Sequence, residues 1–295
     1  MKYIEIAPGM HFSRIVQGFW RLHNWNMSSG ELEKFVCGCL DRGVNTFDTA
    51  EIYGSGQSEE QLGKVLPKRR RDEYTLVTKT GISVRNDDRG SFTYYDTTYD
   101  NIINACKGSL RRLKCDYVDL YLIHREDPLI DHHEVAAALK ELMKQGLIKE
   151  AGVSNFDPFK FAALNELMDG QLRTNQIEWN PCCFEHFNSG MMDVLTQKHI
   201  HPMIWSPLCG GRLLTSEEAP YAQARKTIKR IAAKKNVKPE TLVFAWILYH
   251  PVQAIALSGS SRLERLDAAL AALDVELDRS EWYEIYVASK QQVIR

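Results

Sequence analysis

Four titratable residues stand at or just beyond the ends of short apolar runs. They are Asp48 after Thr46-Phe47, Tyr53 five residues further on, Lys79 after Leu76-Val77-Thr78, and His124 after Leu120-Tyr121-Leu122-Ile123. A lone ammonium on an apolar run is costly to bury, so Lys79 needs an opposite charge, and Asp48 on a neighbouring run would supply it. A phenol with a pKa near 10 is a poor acid at neutral pH. A cation within a few ångströms favours the phenolate, so Lys79 is expected to lower the pKa of Tyr53 and make its hydroxyl a usable proton donor. His124 could hydrogen-bond a carbonyl oxygen and orient it. Together the four fit a reaction in which negative charge develops on a carbonyl oxygen and is quenched by a proton, as when hydride is delivered to an aldehyde or ketone. Singly, each has a structural reading: an ion pair, a packed Tyr, a rim His. Their joint placement at the ends of successive runs carries the inference.

Convergence of such residues requires parallel strands that end at one face. Short runs rich in β-branched or aromatic residues recur at 15–19, 44–47, 74–78, 118–123, 148–153, 174–179, 201–205 and 253–257. Amphipathic stretches at 31–41, 101–113, 134–145 and 158–168 lie between them. In 134–145, Val135, Leu139, Leu142 and Met143 recur at helical spacing while Lys140, Glu141 and Lys144 face outward. Gly43, Gly146 and Gly170 stand where helix stops are expected. Eight strand–helix units without a Pro-, Gly- or Ser-rich linker predict an α/β fold. The expected architecture is a (β/α)8 TIM barrel formed as a single domain over residues 1–295, with long substrate loops at its mouth. Residues 3–12, with Pro8-Gly9 between two alternating runs, predict a β-hairpin capping the barrel floor. The other architecture considered, an open doubly wound sheet, lacks a G-x-G-x-x-G after an early strand.

Composition narrows the partners. The chain has 295 residues, 44% hydrophobic and 25% charged, and a net charge of -1 from 37 Lys+Arg and 38 Asp+Glu. No basic excess draws it to a polyanion, so nucleic acid is not an expected partner. No stretch reaches the roughly eighteen apolar residues of a membrane span, and the first residues do not read as a signal peptide. Seven scattered cysteines without a CxxC pair read as free thiols in a reducing compartment. The expected location is cytoplasmic. No metal site is expected, because His124, His132 and His133 lack ligand spacing.

Several segments in this order and spacing resemble the aldo-keto reductase superfamily over nearly the full chain. They are Asn45-Thr46-Phe47-Asp48-Thr49-Ala50-Glu51-Ile52-Tyr53-Gly54, Leu122-Ile123-His124-Arg125, Gly152-Val153-Ser154-Asn155-Phe156, Asn175-Gln176-Ile177-Glu178 and Trp205-Ser206-Pro207-Leu208. The resemblance implies that Tyr53 is the proton donor, Lys79 and Asp48 its partners and His124 the carbonyl-orienting group. It also implies a nicotinamide cofactor bound across the barrel mouth, NADPH (NADP+) in preference to NADH. Ser154, Asn155 and Gln176 would then hold the carboxamide, and Trp205, where the family usually has Tyr or Phe, would stack on the nicotinamide. Ser206, Pro207, Leu208, Gly210, Gly211 and Arg212 would run along the pyrophosphate. The segment Ser258-Gly259-Ser260-Ser261-Arg262 with Arg265 resembles the family's site for the adenosine 2′-phosphate, a group that small hydroxyls, a helix start and a bidentate guanidinium suit. Ser258 replaces a common Pro, and Ala269 stands where many members have an Asn that reaches the adenine.

Trp20, Trp25 and Tyr94 would line the substrate pocket and favour an apolar or aromatic small-molecule carbonyl. The expected reaction is NADPH-dependent reduction of aldehydes or ketones to alcohols by a monomer or weak homodimer. Two other readings are a regulatory, redox-sensing NADP(H)-binding barrel with little turnover and a Schiff-base enzyme using Lys79. The latter requires a neutral amine, whereas Asp48 would keep Lys79 charged.

Overall fold

The structure is a computed structural model that describes residues 2–88 and 90–294. Twelve strands are present among these residues: β1 Tyr3–Ala7, β2 Met10–Ser13, β3 Ile15–Gly18, β4 Thr46–Asp48, β5 Thr75–Thr80, β6 Ile82–Asp87, β7 Gly90–Tyr95, β8 Val118–Ile123, β9 Ile148–Ser154, β10 Leu172–Glu178, β11 Met203–Trp205 and β12 Ile255–Ser258. The helices are α1 Ser29–Asp41, α2 Gln57–Leu62, α3 Tyr99–Leu113, α4 His132–Lys144, α5 Pro158–Leu167, α6 Glu185–Asn188, α7 Met191–Gln197, α8 Arg212–Thr215, α9 Tyr221–Lys234, α10 Pro239–Tyr249, α11 Leu263–Leu270 and α12 Arg279–Val287.

Eight strands pair in parallel as a closed barrel in the order β3-β4-β5-β8-β9-β10-β11-β12, with β12 returning to β3. The apolar runs become strands because both faces are covered, as parallel sheets require. All six residues of β8 are buried. Its Leu120 and Leu122 fill the barrel with Val16, Val77, Met203 and Ile255, while Val118, Tyr121 and Ile123 join the layer beneath the helices. The floor is capped by the β1–β2 hairpin, whose Ile4, Ile6 and Phe12 enter the same inner cluster.

Helix ends follow local chemistry. Ser28 and Glu31 form a reciprocal capping box on α1, and Asp131 and Asp157 cap α4 and α5 through their side chains. Gly43, Gly146 and Gly170 take φ of 76°, 72° and 75° beyond α1, α4 and α5, the left-handed stop read from the sequence. Among the described residues no helix is long and apolar enough to cross a membrane.

The segment after β5 differs from the sequence reading, which treats it as a loop over the mouth. It is an antiparallel ribbon in which Ile82 faces Tyr95 and Asp87 faces Gly90. Alternating Ile82, Val84 and the run Phe92-Thr93-Tyr94-Tyr95 have strand propensity, and two such runs around a turn pair locally. The whole of β7 is exposed.

Candidate active site

Barrel closure sets the ends of β4, β5 and β8 side by side, because β5 pairs with both neighbours. Lys79 on β5 is fully buried, and its Nζ donates to Asp48 Oδ1 at 2.7 Å, to the Thr49 carbonyl at 2.8 Å and to Tyr53 Oη at 3.2 Å. Tyr53 reaches this position because its loop turns tightly after β4, with its N–H on the Ala50 carbonyl. Its ring meets that of His124 edge-on, with centroids 5.6 Å apart. The His124 backbone N–H donates to the Thr80 carbonyl at 2.8 Å, while its ring Nδ1 is buried with no hydrogen-bond partner among the described residues. The four residues read from the sequence therefore come together.

Their electrostatics correct one expectation. Burial is the strongest influence on Tyr53 and pushes its phenol above the ordinary value; Lys79 pulls it down and Asp48 pushes it up. The expected acidification by Lys79 is outweighed because the phenol is dehydrated and the nearby ammonium is shared with a carboxylate. Tyr53 is a neutral proton holder. Burial works against the charge of Lys79, but Asp48 and Tyr53 outweigh it and hold the ammonium above its ordinary pKa. A charged amine is no Schiff-base nucleophile. His124 is driven well below the usual imidazole range by burial, then by Lys79 and Arg125, so it is neutral at pH 7.

Asp48, Tyr53 and His124 open onto a cavity of about 980 Å³ that crosses the mouth, at the upper end of the roughly 300–1,000 Å³ usual for ligand sites. Lys79 lies behind them. Ser154, Asn155, Gln176 and Trp205 line the same end. They are tied together: Trp205 Nε1 donates to Asn155 Oδ1 at 2.9 Å, Asn155 Nδ2 to Ser154 Oγ at 2.8 Å, and Ser154 Oγ to the Gln176 carbonyl at 2.8 Å. Gln176 Nε2 donates to Asp48 Oδ2 at 2.8 Å, which ties this group to the Lys79–Asp48 pair. From there the cavity runs past Ser206, Pro207, Leu208, Gly210 and Gly211. The two glycines have φ of 66° and 100°, and a Cβ on Gly211 would meet nothing within 4 Å, so the backbone lies open to a ligand. Ser258, Gly259, Ser260, Arg262 and Arg265 line the far end. There α11 begins without a side-chain cap, leaving N–H groups for an anion. Backbone amides, hydroxyls and guanidinia in that sequence suit an elongated ligand with phosphates at one end and an amide-bearing ring at the other.

Three sequence-derived site residues lie elsewhere. Arg212 does not line the cavity; its guanidinium sits 4.8 Å from the Tyr221 ring and its Nε donates to the Cys209 carbonyl. Trp25 is half-buried and packs against the core, 5.6 Å from Phe19 and 5.5 Å from Phe35, rather than at the mouth. Tyr94 stands exposed on the β6–β7 ribbon, from which only Ile82 reaches the cavity among the described residues. Trp20 does line it, 55% exposed. Ala269 is fully buried in α11 and touches no part of the cavity. Sequence reasoning missed Arg21 and Arg125, each adjacent to a residue it singled out, and the far wall of Leu214, Thr215, Lys238, Glu240 and Phe244. These last come from α8, from α10 and from Lys238 just before α10, and only the folded path of the chain after β11 brings them near.

The chain is thus a closed parallel (β/α)8 barrel with an Asp–Lys–Tyr cluster and a His gathered at its mouth. The Aldo/keto reductase family model matches residues 14–289, and the chain belongs to that family. It is similar to the oxidoreductase YdhF of Escherichia coli (strain K12), 39% identical over 290 residues with 97% of each chain covered. A 6-dehydroglucose reductase of Agrobacterium fabrum is 37% identical, again with 97% of each covered. An aldo/keto reductase from Klebsiella pneumoniae, solved in complex with NADP and acetate, superposes with a TM-score of 0.83 at 25% identity, covering 100% of this chain and 98% of the other.

Proposed function

We propose that the protein reduces small-molecule aldehydes or ketones to alcohols using NADPH, with Tyr53 as proton donor. The observation that carries this reading is the contact chain Asp48–Lys79–Tyr53, at 2.7 and 3.2 Å, opening beside His124 at one end of an elongated cavity. Family membership supports carbonyl reduction in general. The NADP-bound relative and the relatives named 6-dehydroglucose reductase support the cofactor and the reaction class.

The residues present fit such a cofactor. Ser154, Asn155 and Gln176 would hold the carboxamide, and Trp205, fixed by its bond to Asn155, would offer a ring face. Ser206, Pro207, Leu208, Gly210 and Gly211 would follow the pyrophosphate. Ser258, Gly259, Ser260, Arg262 and Arg265 would take the 2′-phosphate at the uncapped start of α11. When bound, the cofactor supplies the hydride. The chain's own residues do the rest. Neutral His124 donates a hydrogen bond that orients the carbonyl oxygen, and Tyr53 transfers its proton to that oxygen as it gains charge. Lys79 then stabilises the phenolate, while Asp48 keeps the ammonium charged throughout.

The test is a fluorescence titration with NADPH and NADH, followed by a carbonyl panel with the tighter cofactor. The reading expects tighter binding of NADPH and turnover of aldehydes; binding of neither dinucleotide would refute it.

A further inference from the structure

Arg125 follows His124 at the end of β8 and lines the cavity, and the chemistry above gives it no contact with the substrate. Among the described residues its guanidinium makes no ion pair or hydrogen bond, and its carbon lies 5.6 Å from the centroid of the Trp205 ring. A guanidinium stacked on an indole keeps its N–H edge free, and its planar fork matches a carboxylate or phosphate.

None of the charges around the reacting end forms an ion pair with Arg125 among the described residues. Lys79 is paired with Asp48 at 2.7 Å, His124 is neutral and Tyr53 is a neutral phenol. The nearby acids make their hydrogen bonds and ion pairs with other residues. Glu126 pairs with Lys160 at 3.0 Å. Glu178 accepts from Asn180 Nδ2 at 3.2 Å, feels both Arg212 and Arg125, and does not line the cavity. Ser258, Gly259, Ser260, Arg262 and Arg265 follow β12, four places around the barrel from β8, whereas Arg125 adjoins His124 and meets the Trp205 ring. A free cation there acts at the carbonyl end of the cavity.

We propose that Arg125 selects carbonyl substrates that carry an oxyanion, a carboxylate or a phosphate monoester, a few atoms from the carbonyl carbon. The proposal rests on the carbonyl-reductase reading and names its substrate class. Half-burial of Arg125 beside Trp205 lowers the local dielectric and strengthens such a contact relative to open solvent.

The test uses the full-length chain with NADPH and two matched pairs, succinic semialdehyde against butanal and glyceraldehyde 3-phosphate against glyceraldehyde. Wild type is expected to favour the anionic member of at least one pair by roughly tenfold or more in kcat/KM, as a charge-assisted hydrogen bond provides. The responding pair identifies the oxyanion. Arg125→Gln should abolish the preference, read as the ratio of kcat/KM between the anionic and neutral members within that variant, by raising KM for the anionic member more than for the neutral one; Arg125→Lys should retain part of it. Should the Gln variant fail to bind NADPH, the Lys variant carries the test. Equal use of both members of each pair, or a preference that survives in Arg125→Gln, would overturn the Arg125 proposal alone. A wild type that binds no NADPH and reduces none of the four compounds would remove the carbonyl-reductase reading, and this proposal with it.

Discussion

Burial acts on the site residues in opposite senses, and their partners decide each outcome. It raises Tyr53 and lowers His124, leaving both neutral, while Asp48 reverses its effect on Lys79. Asp48, Tyr53, Lys79 and His124 are legible in the sequence because each ends or follows an apolar run. The balance between dehydration and the shared ammonium is not, since it depends on how deeply the Tyr53 ring sinks. Glu51 shows the same competition in a group that the proposed chemistry does not use. Its Oε1 accepts from Thr80 Oγ1 at 2.7 Å and the Gly81 N–H at 3.2 Å, yet burial pushes its carboxyl up to about 7. A carboxyl raised in the fold favours folding below its unfolded pKa near 4.5, and that contribution is lost as pH rises through about 7. Glu51→Gln stays neutral and keeps an acceptor for both donors. Between pH 4.5 and pH 8 it should therefore gain about 2–3 kcal/mol relative to wild type. Urea denaturation at the two pH values measures this, and a difference that does not change with pH would contradict it.

The elements divide into those fixed by covered faces and those fixed by local pairing. Strands β3, β4, β5, β8, β9, β10, β11 and β12 were readable as apolar runs because helices and barrel filling cover both their faces. The β6–β7 ribbon was not, because its exposed residues alternate over too short a span to be told from a loop. Trp25 and Arg212 illustrate a second limit. Their places in the sequence fit the site, but packing sets one against the core and the other onto Tyr221. Since β7 is exposed throughout, replacing residues 83–94 by a short Gly-Ser turn should leave NADPH affinity within about twofold and Tm within a few degrees. Loss of cofactor binding in this variant, read by fluorescence, would mean the ribbon contributes to the site.

At the scale of the molecule, the barrel holds two chemically distinct ends of one groove. The ends of β4, β5 and β8 and the loop after β4 supply Asp48, Lys79, His124 and Tyr53, and the segments after β11 and β12 supply backbone amides, hydroxyls and guanidinia. The far wall from α8 and α10 had no sequence signal, because its residues are ordinary helix positions until the chain folds back across the mouth. If Arg265 holds the 2′-phosphate, Arg265→Ala should weaken NADPH binding by roughly tenfold or more and leave NADH binding nearly unchanged. Equal weakening of both dinucleotides would place Arg265 elsewhere.

The central claim is that the buried phenol of Tyr53 delivers the proton. Single-turnover oxidation of bound NADPH by an aldehyde in Tyr53→Phe tests it most directly, because cofactor binding and chemistry are read separately. The account predicts NADPH affinity close to wild type and a rate lower by about 10²–10⁴-fold. A variant that turns over at the wild-type rate would contradict it.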